Sequence, residues 1–162
     1  MRGQFSVIIP AVQVPTTETS VAGIIVPANT LAQINRIEMA GAGITANNAV
    51  RLRIQRFTGN TPTLSNAVTP KPKVDSNILS ASLSWGGRGG TPYNGNVWSV
   101  TPTTPQADIF DDERNLYGGG IKYQSTLQEA LDIGGQTAAT YYDIRAVAGT
   151  QVNCSLLFVF TE

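Results

Sequence analysis

Apolar and polar positions alternate most clearly at residues 50–57, VRLRIQRF, where Val50, Leu52 and Ile54 share one face and Arg51, Arg53 and Gln55 the other. A period of two marks a half-buried β-strand. Its polar face carries guanidinium groups that need water or a partner, because an unpaired buried charge is costly. The same reading places strands elsewhere. Phe5, Val7 and Ile9 alternate ahead of Pro10, and Val12 and Val14 ahead of Pro15. Each proline removes a donor from any ladder, so residues 1–15 read as an extended N-terminal arm or an edge strand. Residues 16–20 form a polar turn and 21–26 a short apolar run closed by Pro27. Residues 31–42 form a strand with Ile37 and Met39 on one side, Arg36 and Glu38 on the other.

The pattern breaks over residues 58–96. TGNTPTLSNAVTPKPKVDSN is rich in proline and small polar residues, and SWGGRGGTPYNG is a glycine-rich loop holding Trp85, Arg88 and Tyr93. Long stretches of this kind between strands tend to be functional. A short apolar run at 97–100, a TPTTP linker and an acidic turn at 108–113 follow. Residues 126–133 are ambiguous. Thr126 and Glu129 make a capping box and Gly134 suits a helix end, whereas Leu127, Leu131 and Ile133 alternate as in a strand. Residues 141–148 form another strand. The final run, 151–160, puts Val152, Cys154, Leu156, Phe158 and Phe160 on one face and Leu157 and Val159 on the other. A strand apolar on both faces is central to two layers or buried against another subunit. Together these elements predict an all-β chain: an arm over 1–15 and a single domain over 16–162, an antiparallel β-sandwich of jelly-roll type with long loops.

The 162 residues fit one domain with its own core. Only 14% are charged, well below the roughly 25% of an ordinary soluble domain, which suggests that protein covers part of the surface. Eleven basic and eleven acidic residues cancel, and there is no histidine. The balance argues against a nucleic-acid binder, whose affinity rests on phosphate neutralisation. The missing histidine removes the commonest acid/base catalyst and metal ligand. Cys154 stands alone and reads as a small core residue. Neither a signal peptide nor a membrane span is evident, which implies a soluble product made in the cytoplasm of its cell.

Candidate chemistry is thin. GGRGG and GGGIK lack the lysine and hydroxyl of a phosphate loop. Asp108, Asp111, Asp112 and Glu113 lack the spacing of a calcium loop and read as a solvated turn or as partners for Arg114. Glu38 and Glu113 are a pair of the glycosidase type, but no sequence feature joins them. The expectation is therefore no enzyme, no cofactor and no metal site. Trp85, Tyr93 and Trp98 either stack on sugars, anchor an interface or cap the core. Arg51, Arg53 and Arg56 are expected to form salt links with a neighbouring chain.

With the strands placed, the runs INRIEMAGAG, NNAVRLRIQRFTGNT, VTPKPKVD and VNCSLLFVFTE resemble small head proteins of tailed bacteriophages. The layout is similar to the jelly-roll decoration, or cement, proteins of their capsids, most clearly over residues 31–73 and about the last twenty residues. The resemblance implies a subunit on the outer surface of the virion, commonly a homotrimer, that staples neighbouring copies of the major capsid protein against the pressure of packaged DNA. It implies no direct nucleic-acid or membrane partner. Expected capsid contacts are Phe5, Val7, Ile8 and Ile9 in the arm, as an added strand, and Trp85, Arg88 and Tyr93 in the loop. Leu157 and Val159 are expected to self-associate. The alternative is a tail-associated or receptor-binding jelly roll that grips glycan through Trp85, Tyr93 and Trp98.

Overall fold

A computed structural model describes residues 3–73, 80–126 and 129–162. Its strands in chain order are β1 (Gln4–Val14), β2 (Thr19–Val26), β3 (Leu31–Gly41) and β4 (Ala49–Thr58), then the short β5 (Thr63–Leu64), β6 (Ala67–Val68), β7 (Lys71–Pro72) and β8 (Ser84–Gly87). After them come β9 (Trp98–Val100), β10 (Thr104–Asn115), β11 (Ile121–Gln124), β12 (Leu131–Gly134), β13 (Thr140–Ala148) and β14 (Val152–Thr161). The first sheet runs β11-β3-β14-β1-β7, with β12 also pairing β3. The second runs β10-β4-β13-β2-β8-β6, and β5 and β9 form a separate two-stranded ribbon.

The chain is an all-β, antiparallel sandwich. From the first sheet, Phe5, Val7, Ile34, Ile37, Leu156 and Phe158 turn inward, and from the second, Leu52, Ile54, Trp85, Tyr142 and Ile144 meet them. The Trp85 ring lies 5.0 Å from Phe158 and 5.3 Å from Phe160, so one aromatic group joins the two layers. Val50, Leu52 and Ile54 of β4 are all fully buried, as their alternation requires.

Several expectations change. The arm over residues 1–15 is, from Gln4 to Val14, a strand inside the first sheet, paired with β14 along its length and with β7 at Phe5 and Ser6. Pro10 does not end it, because the register shifts between Ile9 and Val12 and Ala11 takes a φ of 53°. The bulge absorbs the residue that has no N–H to donate. The acidic turn at 108–113 lies within β10, an edge strand, where charge discourages pairing with other chains. Residues 131–134 are strand rather than helix, and Leu127 and Gln128 lie outside the described residues.

The excursion after β4 is not an open loop. Its β5–β9 ribbon lies on the outer face of the second sheet, where Val97, Trp98 and Leu64 pack with Phe57, Tyr141 and Ile25 in a small second core. Gly23 makes room for this, since a Cβ there would stand 2.5 Å from the Trp98 ring.

Candidate interaction surfaces

The polar face of β4 is closed by the chain's own carboxylates. Arg51 donates through Nε and Nη2 to the two oxygens of Asp111, at 2.8 and 2.6 Å. Arg53 grips Asp108 with two bonds of 3.1 Å and donates from Nη1 to Glu18 at 2.7 Å. Two-pronged pairing of this kind suits the planar guanidinium. The Arg51 guanidinium holds the Asp111 carboxyl below the usual carboxylate range. The salt links expected from Arg51 and Arg53 to a neighbouring chain are therefore made within the molecule, because β10 brings its acidic run alongside β4.

Beside that ladder, the Trp98 indole N–H donates to Asp143 Oδ1 at 2.9 Å and the Ser20 hydroxyl donates to Oδ2 at 2.8 Å. Asp143 is only 4% exposed. Burial pushes its carboxyl above the usual range, against the pull of those two donors.

The glycine-rich loop is braced from inside. Arg88 donates to the carbonyls of Gly95 (3.0 Å), Gln13 (2.7 Å) and Asn94. The Gln13 N–H in turn donates to the Tyr93 carbonyl at 3.2 Å, which fixes the loop to β1. Of the three residues expected to reach a capsid from this loop, Trp85 lies in the core, Arg88 is spent on backbone and only the Tyr93 side chain is exposed. Trp98 is buried as well, so the aromatic sugar platform of Trp85, Tyr93 and Trp98 does not assemble.

The N-terminal candidates divide by parity. Phe5, Val7 and Ile9 belong to the core and are unavailable to a partner, whereas Ile8 is 58% exposed on the outer face of the first sheet. Ile8 stands directly opposite Leu157 in the ladder with β14. Val159, two positions further along the same face, is 4% exposed, and Arg36 and Glu38 of β3 stand opposite Val159 and Leu157. Ile8 and Leu157 therefore form one apolar stripe edged by an ion pair, whereas Val159, expected to self-associate, is buried and unavailable to a partner.

On the same face, a cleft of about 490 Å³ opens around Val159, lined by Gln4, Gln33, Asn35, Gln124 and the cations Arg36 and Lys73. The Gln33 amide donates to Asp132 and the Asn35 amide to Thr161, so both are held in place. These residues come from four strands and the segment after β7, and no spacing in the sequence announces them.

Glu38 and Glu113 lie on different sheets and form no carboxylate pair. Cys154 is buried, and burial raises its thiol to about 11. Among the described residues no group of three side chains is placed to hold a metal ion. No protein family, curated protein or solved structure matches this chain.

Proposed function

We propose that the chain is a non-enzymatic structural protein that decorates the capsid of a tailed bacteriophage, bridging neighbouring major capsid subunits on the outer surface of the virion as a homotrimer. The observation that carries the proposal is the wiring of the sandwich. Counting β11 and β12 as one, the eight principal strands are β1, β2, β3, β4, β10, β11/β12, β13 and β14. Numbered in that order they fall one-eight-three-six in one sheet and two-seven-four-five in the other. This order supports reading the sandwich as a jelly roll, in which two Greek keys share a sandwich, an architecture used by viral capsid and lectin domains.

In this proposal the contacts fall on the stripe of Ile8 and Leu157, and β1 is part of the scaffold. Each copy buries a modest apolar area, and linking copies in a trimer raises the effective concentration of the remaining contacts. The deciding experiment is electron cryomicroscopy of virions that carry the protein. The expected result is density for the sandwich at regular positions among the capsomers. Density at the tail tip, or none on particles, would overturn the proposal. The amide-lined cleft around Val159 favours the second reading, a tail-associated glycan binder, in which Gln4, Gln33, Asn35 and Gln124 take the place of the buried tryptophans. The tail-tip outcome of the same experiment is the one that reading expects.

A further inference from the structure

Arg56 continues the stripe of Val50, Leu52 and Ile54, so it points to the opposite side of β4 from Arg51 and Arg53. Across the ladder it stands opposite Tyr142, a core residue. Here the sandwich ends, and Arg56 meets Thr140 in a cleft of about 280 Å³ walled by residues 58–61 on one side and 136–139 on the other. Two buried polar atoms of these lining residues, Arg56 Nε and Thr140 Oγ1, have no hydrogen-bond partner among the described residues, and Thr140 is 2% exposed.

Arg145 Nε is likewise without a hydrogen-bond partner among the described residues, but Arg56 differs from the other arginines there, Arg88 apart, in facing no carboxylate at ion-pair distance. Arg36, Arg51, Arg53, Arg114 and Arg145 each face a carboxylate, and Arg88 is held by carbonyls. The wall is also set in advance. The Asn60 amide donates to the Thr101 carbonyl at 2.8 Å and its oxygen accepts from the Thr103 N–H at 3.2 Å, while Gly59, at a φ of 111°, turns the chain. The Nε of a half-buried guanidinium and a buried hydroxyl thus belong to the lining of one small cleft without a hydrogen-bond partner among the described residues.

Unpaired buried donors are costly, and the cost is relieved by an acceptor that carries negative charge. A guanidinium pairs in two-pronged fashion with a carboxylate or with two oxygens of a phosphate. The volume lies at the small end of ligand pockets, which suits one charged group and little else. We infer that this cleft is an anion site in which Arg56 and Thr140 bind the oxyanion group, carboxylate or phosphate, of a small molecule.

The test is to titrate the whole protein with inorganic phosphate and, separately, with acetate, following backbone amide shifts by NMR. Saturable shifts confined to residues 56–61 and 136–141 are expected for at least one probe, and the probe that binds distinguishes a tetrahedral from a planar ligand. Arg56→Gln should weaken that binding by at least about tenfold. Arg56→Lys, which keeps the charge and loses the fork, should fall between. Amide dispersion like that of the wild type shows that a variant is folded. Should Arg56→Gln fail to fold, Thr140→Val, close to isosteric, carries the comparison and is expected to bind several-fold more weakly. Saturation with neither probe, shifts spread over the rest of the surface, or undiminished binding by the folded variants would each overturn the inference.

Discussion

Asp143 shows how one residue binds the excursion to the sandwich. Trp98 reaches it only because Gly23 leaves the sheet bare at that point. Burial raises the carboxyl above its ordinary value near 3.9, so the folded state holds the proton more tightly than the unfolded chain does. The contribution of this group to stability is therefore fully present below the ordinary carboxylate value and is lost as pH rises through the raised folded value. Asp143→Asn keeps an acceptor for the indole and removes the titration. Relative to the wild type it should gain stability at neutral pH, by a margin that shrinks toward pH ~4. Urea denaturation at the two pH values measures this, and a margin that does not change with pH would count against it. Asp143→Leu leaves the Trp98 N–H unpaired under the ribbon and should cost about 1–3 kcal/mol.

Among the elements, β1 departs furthest from what the sequence suggests. A detachable arm could be removed without unfolding the domain, but deleting residues 1–14 removes five core side chains and strips β14 of one neighbour. Truncating one large aliphatic core side chain to alanine costs about 2–5 kcal/mol, against a total of about 5–15 for a typical domain. The truncated chain should show no cooperative unfolding transition and no near-ultraviolet circular dichroism. The period of two in Phe5, Val7 and Ile9 was legible, but its burial in the core was not, and Pro10 made the segment read as an arm, because a bulge has no signature beyond the residue that needs it. The core face of β4, Val50, Leu52 and Ile54, was legible, whereas Arg56, grouped by charge with Arg51 and Arg53, sits in phase with the core face instead. The acidic run read as a turn because its partners, Arg51 and Arg53, lie on another strand, and cross-strand pairs leave no local period. The two-residue strands of the excursion are too short to show any period, and Trp98 finds its place through Gly23, far earlier in the chain. The amide cleft and the mouth at Thr140 are gathered from separate strands and loops, so only the topology reveals them.

At the scale of the molecule, the two faces of the sandwich are unlike. The ribbon and the arginine ladder occupy the outside of the second sheet, while the outside of the first presents Ile8 and Leu157. If that stripe joins copies, the double variant Ile8→Glu, Leu157→Glu should sediment as a monomer where the wild type sediments as an oligomer. Its thermal stability should change little, since surface substitutions usually stay within about 0.5 kcal/mol. A wild type that is monomeric at every concentration in analytical ultracentrifugation would count against the stripe as a self-association surface. The wiring also bears on how the molecule comes into being. β13 joins β4 to β2, and β14 joins β3 to β1. Both joining strands lie within residues 140–161, after every strand they unite. A chain leaving the ribosome therefore carries each sheet as two separate halves with unpaired edges. Such long-range pairing is slow and exposes apolar surface while it waits. The nascent protein depends on β13 and β14 to close both layers, and a ribosome that stalls before them leaves a product with open edges and an incomplete core.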